Sequence, residues 1–357
     1  MKFKHLVIFL VTLFVLTGCK DDENAVELEQ SHQPVESEEV EENEGEEEEE
    51  GENLPYTYPL TGVGAAEEST LRPIAITINN HPGARPQSGI SKADIVYEML
   101  VEGDATRLLA IFQSNVPETI GPVRSARDYF IQLAAGYDAL YIAHGYSPDA
   151  HQLLNSGVVD HFNGMQHDGT YFYRSNSRKA PHNSYITAEN IGRAADKLNI
   201  SMKNEKNFDL TFYATEDSVK MGDEAKKIHM NYFSQNSSYS SIYTYDTESK
   251  KYFKSSPQGN TMDELVDEQV AISNVLFFET AHQVIDAEGR RDITLTGGGM
   301  AYVFQHGQMR EVRWKNDNGF IYAVEQDGSK VPLVPGNTWI HFVPSSPGLS
   351  VSVNYSE

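Results

Sequence analysis

The sequence predicts an α/β (or α+β) N-terminal domain followed by a β-rich C-terminal domain, sandwich or barrel-like. Two observations carry this. From residue 72 to about 200, apolar strand-like runs precede and then alternate with amphipathic helical stretches, the pattern of a sheet with helices packed on it. Near residue 208 the character changes. Aromatic, alternating segments and turn pairs such as His306-Gly307 and Asn318-Gly319 take over.

The elements of the first half follow in order. Arg72-Pro-Ile-Ala-Ile-Thr-Ile-Asn79 is a strand with proline at its start, where the missing N–H is tolerated. "HPGARPQSG" (81–89) is a loop on its Pro and Gly content. "ADIVYEMLVEG" and "TRLLAIFQS" read as two further strands, and "DALYIAHG" (138–145) as a short one closed by Gly145. Three helices are expected: about 125–135 with Ser125 as N-cap, 147–157 with Ser147 as N-cap, and 186–200 capped by Thr187. In the second half, "LTFYATE", "KKIHMNYFS" and nearly everything from Ala271 onward is strand-like. "TGGGM" (296–300) reads as a hairpin turn, and Trp339 as a core residue.

The chain is expected to divide into a signal peptide (1–18), an acidic disordered tether (19–54), the α/β domain (55–205) and the β-rich domain (206–357), with the last boundary anywhere from 200 to 240. Lys2 and Lys4 precede an apolar run from Leu6 to Leu16, too short to span a bilayer but suited to a secretory segment. It ends in Leu16-Thr17-Gly18-Cys19, which resembles the lipobox of bacterial lipoproteins. The chain has a single cysteine, and it stands where a lipid acceptor should be. Lipidation at Cys19 would place the protein on the outer face of the cytoplasmic membrane, and a diacyl anchor supplies the two chains that stable attachment needs. Residues 20–53 hold seventeen Asp or Glu, one Lys and no aromatic residue. Such a segment cannot bury enough apolar surface to fold. Stretched out, it reaches on the order of 110 Å.

The full chain carries 28 Lys and Arg against 52 Asp and Glu, a net −24. Residues 54–357 alone carry 25 against 35, a net −10. A moderately acidic folded part argues against nucleic acid as a partner.

"IGPVRSARDYF" (120–130) sets Arg124 and Arg127 three apart at an expected helix start, where free N–H groups already look positive. Two explanations compete. The arginines pair with Asp94, Glu98, Glu102, Asp104 or Asp128, or they hold an anion. Strand 138–143 ends at His144, and Arg85 lies in the loop after the first strand. "YRSNSRKAPHNSY" (173–185) adds Arg174, Arg178, His182 and Asn183. These eight residues are the candidate anion site, because ligands gather beyond the carboxyl ends of strands in such sheets and several arginines suit phosphate or carboxylate. Ser125, with His144 or His182 as base, is a weak nucleophile candidate, since "VRSAR" is not a G-x-S-x-G elbow. The histidines between 144 and 182 lack an H-x-x-x-H spacing, so no metal is expected, and no phosphate-cradling glycine motif calls for a cofactor.

"RPIAITINNHPGARPQSGISKADIVYEMLVEG", "TRLLAIFQS", "IGPVRSARDYF" and "KAPHNSY" together resemble the YerB-like lipoprotein family of Gram-positive bacteria. "AISNVLFFETAHQVIDAEGRRDITLTGGGMAYVFQHG" and "VPLVPGNTWIHFVP" resemble that family's C-terminal domain. The resemblance covers about 56–350 and implies two adjoining domains of unknown function behind a lipobox. It carries over no catalytic residues. Two classes of function stay open. One is a lipid-tethered binding or regulatory protein whose partner is wall polymer or a membrane-embedded wall-synthesis enzyme. The other is an extracytoplasmic hydrolase or transferase acting on a phosphoester or wall peptide.

Overall fold

The structure, a computed structural model, describes residues 54–233 and 237–357. Cys19, the signal peptide and nearly all of the acidic tether lie outside the described residues.

Eleven strands form one mixed sheet. In chain order they are β1 (Ile74–Asn79), β2 (Ile95–Leu100), β3 (Thr106–Phe112), β4 (Leu140–Ala143), β5 (His161–Asn163), β6 (Asp223–Glu224), β7 (Asn274–Thr280), β8 (Gly298–Gln305), β9 (Gln308–Asp317), β10 (Phe320–Val324) and β11 (Thr338–Pro344). Across the sheet they run β6-β9-β8-β7-β11-β2-β3-β1-β4-β5, with β10 also paired to β9. β1, β4 and β5 are mutually parallel, as are β7, β11 and β2, whereas β3 is antiparallel to both β1 and β2.

Every residue of β1, β2 and β3 is buried, which is why their sequences read as nearly unbroken apolar runs. The alternating faces separate cleanly. Ala75, Tyr97, Leu109 and Tyr141 point to a core shared with α1 (Asp128–Gly136) and α2 (Pro148–Asn155). Ile74, Ile76, Ile78 and Leu108 point to a second core shared with α3 (Ala188–Leu198). That second core also takes in Ile228, Tyr243 and Tyr252 of a smaller antiparallel sheet. Its strands are Gly259–Asn260, Lys251–Ser256, Ser241–Asp246, Lys227–Met230 and Val353–Ser356, with Ala271–Ile272 also paired to Lys251–Ser256. The N-terminal half is thus mixed α/β and the C-terminal half β-rich. They meet inside the large sheet, where Thr338 of β11 lies opposite Ile95 of β2.

Two helix caps fall where the sequence placed them. Ser147 and Thr187 accept from the backbone N–H groups of Ala150 and Asn190. The third does not. α1 begins at Asp128, with Arg127 at its N-cap, and Ser125 caps nothing. Residues 121–126 are held extended by bridges from Val123 to Ile78 and from Ala126 to Tyr146, so the helix cannot start before them. The acid Asp128 then occupies the first turn, where the dipole favours it.

Candidate anion-binding site

β1 and β4 are parallel neighbours, so Asn79 and Ala143 leave the sheet side by side. Arg107, at the start of β3, lies opposite Asn79 in the register. The extended segment 121–127 crosses this end of the sheet. The Arg124 N–H donates to the Thr77 carbonyl, and its own carbonyl accepts from the His144 N–H. The loop 174–183 completes the rim through the pairing of Phe172–Arg174 with Ser184–Thr187. Arg85–Pro86, Gly121–Pro122 and Ala180–Pro181, one in each framing segment, are cis peptides.

Two glycines make the close approach possible. Gly145 has φ +98°, and a Cβ there would stand 2.6 Å from Ser125 Oγ. A Cβ on Gly164 would stand 2.2 Å from His144 Nδ1. Buried Asn163 locks the corner, accepting from the N–H groups of Gly145 and Met165 and donating to the Gly145 carbonyl.

The candidate residues differ sharply in how they are held. Arg127 is buried and ion-paired to Glu102, with a further 2.6 Å bond to the Ala126 carbonyl. Arg107 shares Glu102 at 3.0 Å and donates to the Ser125 carbonyl. Arg174 grips Asp168 through Nε and Nη2 and reaches Asn183 Oδ1 at 3.3 Å. Arg178 is taken up by Glu264, Tyr185 and the Pro86 carbonyl. Arg85 donates to Asn80 and lies over the Tyr239 ring. Arg124 is the exception. It is half-buried, and among the described residues no hydrogen bond or ion pair holds its guanidinium. Burial, together with Arg107 and Arg174 nearby, pushes its pKa down, so the site is electrostatically in want of an anion.

His144 and His182 act as neutral donors and acceptors here. Arg174 donates to His144 Nε2 at 2.9 Å, so Nε2 accepts and Nδ1–H donates to Ser184 Oγ at 2.7 Å. Burial and then Arg174 lower the His144 pKa, and this outweighs Asp168 at 4.0 Å. Asn79 donates to His182 Nδ1 at 2.8 Å, which leaves Nε2–H of the neutral ring as a free donor. Burial, His81 and Arg124 lower the His182 pKa. His81 stacks on His182 at 4.5 Å and 18°.

Ser125 Oγ donates to the His144 carbonyl at 3.3 Å. The His144 ring is engaged with Ser184 and Arg174 and the His182 ring with Asn79, so neither stands as a base on Ser125. Among the described residues no group of three or more His, Cys, Asp or Glu side chains is arranged to hold a metal.

Two regions of the chain match one family: residues 60–201 its part described as "Protein of unknown function (DUF3048) N-terminal domain", and residues 228–340 the corresponding C-terminal domain. The sequence is 45% identical over 295 residues to the Bacillus subtilis (strain 168) protein named "Putative lipoprotein YerB", covering 82% of this chain and 88% of that one. The chain belongs to the YerB-like lipoprotein family. The fold is similar to a crystal structure of the YerB protein from Bacillus subtilis, with a TM-score of 0.77, 42% identity and coverage of 85% of this chain and 100% of that one.

The family's two-part layout surrounds a buried polar cluster that sequence reasoning did not assemble. Glu98, fully buried in β2, accepts from Asn80, Thr106 and Trp339 and stands 3.4 Å from Lys254 of the smaller sheet. His341 of β11 joins it, bonded to Tyr232 and Tyr243 hydroxyls at 2.9 and 2.5 Å. Burial pushes the Glu98 carboxyl up, but Lys254, His341 and Arg85 outweigh it and hold the carboxyl below its usual range. An ionisable residue inside two apolar runs, Glu98 in "IVYEML" and His341 in "TWIHFVP", was the available signal, whereas Lys254 in the polar "KYFKSS" gave none. Asn80 ties this cluster to the rim, since its Oδ1 accepts from Gln87 and Arg85.

Proposed function

We propose that this protein is a lipid-anchored, extracytoplasmic binding or regulatory protein of the cell envelope, linked to cell-wall synthesis, which holds an anionic group at Arg124. Two things support the anchor: Cys19 behind Leu16-Thr17-Gly18, and a relative named as a lipoprotein. Among the described residues no helix is long and apolar enough to cross a membrane. One observation carries the binding site. Arg124 is half-buried and, among the described residues, its guanidinium has no hydrogen-bond or ion-pair partner, with Arg107 and Arg174 nearby. Each neighbouring carboxylate is already spent, Glu102 on Arg107 and Arg127, and Asp168 on Arg174. An anion from outside the chain would supply what the fold withholds.

The test is phosphate binding to the mature chain and to Arg124→Ala, by calorimetry and by thermal shift. Phosphate should raise the melting temperature of the parent and bind Arg124→Ala weakly. No stabilisation of the parent by phosphate, sulfate or carboxylates would reject the site.

A further inference from the structure

The rim beside Arg124 carries a flat surface that a bare phosphate would not use. We propose that the ligand of this site is a phosphorylated carbohydrate, whose phosphate is held by Arg124 and whose ring lies on the His81–His182 pair. This rests on the anion-binding reading above and names its ligand class.

Three observations converge. The first is the kind of groups on offer. Arg124 presents a guanidinium with all its N–H groups unused, and His182 presents Nε2–H beside it, because Asn79 fixes the other ring nitrogen as an acceptor. Among the described residues no neighbouring carboxylate is left unpaired, so an ammonium or zwitterionic ligand would meet no free counter-charge. A group that only accepts, such as a phosphate ester, fits.

The second is the imidazole pair. His182 is held by Asn79, two residues along β1 from the Thr77 carbonyl that accepts from the Arg124 N–H, and it stacks on His81 with the two planes 18° apart. His81 is exposed and anchored at the turn, where its Nδ1 accepts from the Gly83 N–H at 3.0 Å. The outer ring is therefore fixed in orientation and still open to solvent on its far side. Two rings held parallel next to an unsatisfied cation make a short platform for the ring attached to a phosphate.

The third is the composition of the adjoining loop. Ser175 and Ser177 line it with hydroxyl groups 2.7 Å apart, while the Asn183 amide is taken up by Arg174 and the Ser175 carbonyl and holds the loop in place. Groups that both donate and accept suit sugar hydroxyls better than the apolar face of a nucleobase. The same rim thus offers cation, platform and hydroxyl-matching loop in one place.

The experiment measures binding of inorganic phosphate, glucose 1-phosphate, glucose and AMP to the mature chain by calorimetry at constant ionic strength. Glucose 1-phosphate should bind at least about threefold tighter than phosphate. Glucose alone should not bind measurably. In His81→Ala the ratio should fall towards one. Equal affinity for phosphate and glucose 1-phosphate would overturn the carbohydrate assignment while leaving the anion site standing. AMP binding more tightly than glucose 1-phosphate would overturn it in favour of a nucleotide. Binding by none of the three anions would instead reject the anion site itself. His81→Phe restores a flat ring without the imidazole nitrogens. It should recover the preference if stacking is the cause, and a ratio still at one would count against the platform.

Discussion

Arg124 and Arg127 look alike in sequence and have opposite fates. Both emerge from the extended segment before α1, but only Arg127 turns inward to Glu102. Removing its side chain would break a buried pair and leave Glu102 with Arg107 alone. Breaking such pairs costs about 3–5 kcal/mol. Because Glu102 keeps one partner and is part-exposed, Arg127→Ala should lie at the lower end, about 3 kcal/mol, measured by urea unfolding. A cost below about 0.5 kcal/mol would show that the pair is idle. Arg124→Ala should behave the other way. It relieves repulsion from Arg107 and Arg174 and breaks no bond within the described residues, so folding stability should change little or rise. Binding of phosphate should weaken by about 1.5–3 kcal/mol, the worth of a charge-assisted bond. Substantial unfolding of Arg124→Ala would show that the residue has a structural partner. Sequence alone could not separate the two arginines. The partner Glu102 lies 25 positions upstream of Arg127, and no local pattern records which of two nearby cations it will meet.

At the level of elements, local chemistry was legible and long-range pairing was not. Ser147 and Thr187 announce their helices because capping is decided within three residues. β1 to β4 announce themselves because their runs are apolar and bounded by turn residues. The start of α1 misled because tertiary bridges at Val123 and Ala126 override the capping propensity of Ser125. The meeting of β2 with β11, and of Glu98 with Lys254 and His341, depends on contacts some 150 to 245 positions apart, about which periodicity is silent. That inter-sheet cluster has a measurable consequence. Burial pushes the His341 pKa from the ordinary 6.5 down to about 3, with Lys254 adding to the effect and Glu98 opposing it. The unfolded chain binds this proton near pH 6.5 and the folded chain does not. Stability from this group is therefore full above pH 6.5 and is lost as pH falls towards 3, by up to about 1.4 kcal/mol per pH unit. Tyr232, Tyr243, Glu98 and Lys254 face the ring and are buried with it. His341→Gln should flatten the stability–pH curve between pH 6.5 and 4. Comparing slopes cancels the fixed cost of the changed hydroxyl contacts. An unchanged acid slope would mean that other groups, such as part-buried His282, set it.

For the whole molecule, the chain enters the described fold at one end of β1 and presents the candidate site at the other. Leu54 and Tyr56 lie with Ser69 and Asn204, near the amino end of β1, whereas Asn79 at its carboxyl end carries His182. Cys19→Ala should release the protein from the membrane or leave it unprocessed. Normal processing with equal retention of the variant would remove the anchor from the proposal. The large sheet leads to a firmer expectation about the two halves. The N-terminal half alone, 54–205, would lose β11 and expose β2 as an unpaired edge. It would also lose Trp339 and Lys254 from around the fully buried Glu98, leaving a carboxylate without its compensating charge. The C-terminal half alone would keep Lys254 and His341 together without Glu98, and would lose the bond from the Tyr232 hydroxyl to the Glu98 carbonyl on β2. An exposed apolar edge invites aggregation. Expressed separately, neither half should show a cooperative thermal transition, while co-expression should recover a protease-resistant complex because the same strands can pair in trans. A sharp, reversible melt for isolated 54–205 would show that β11 merely decorates a finished domain and that the two halves are energetically independent.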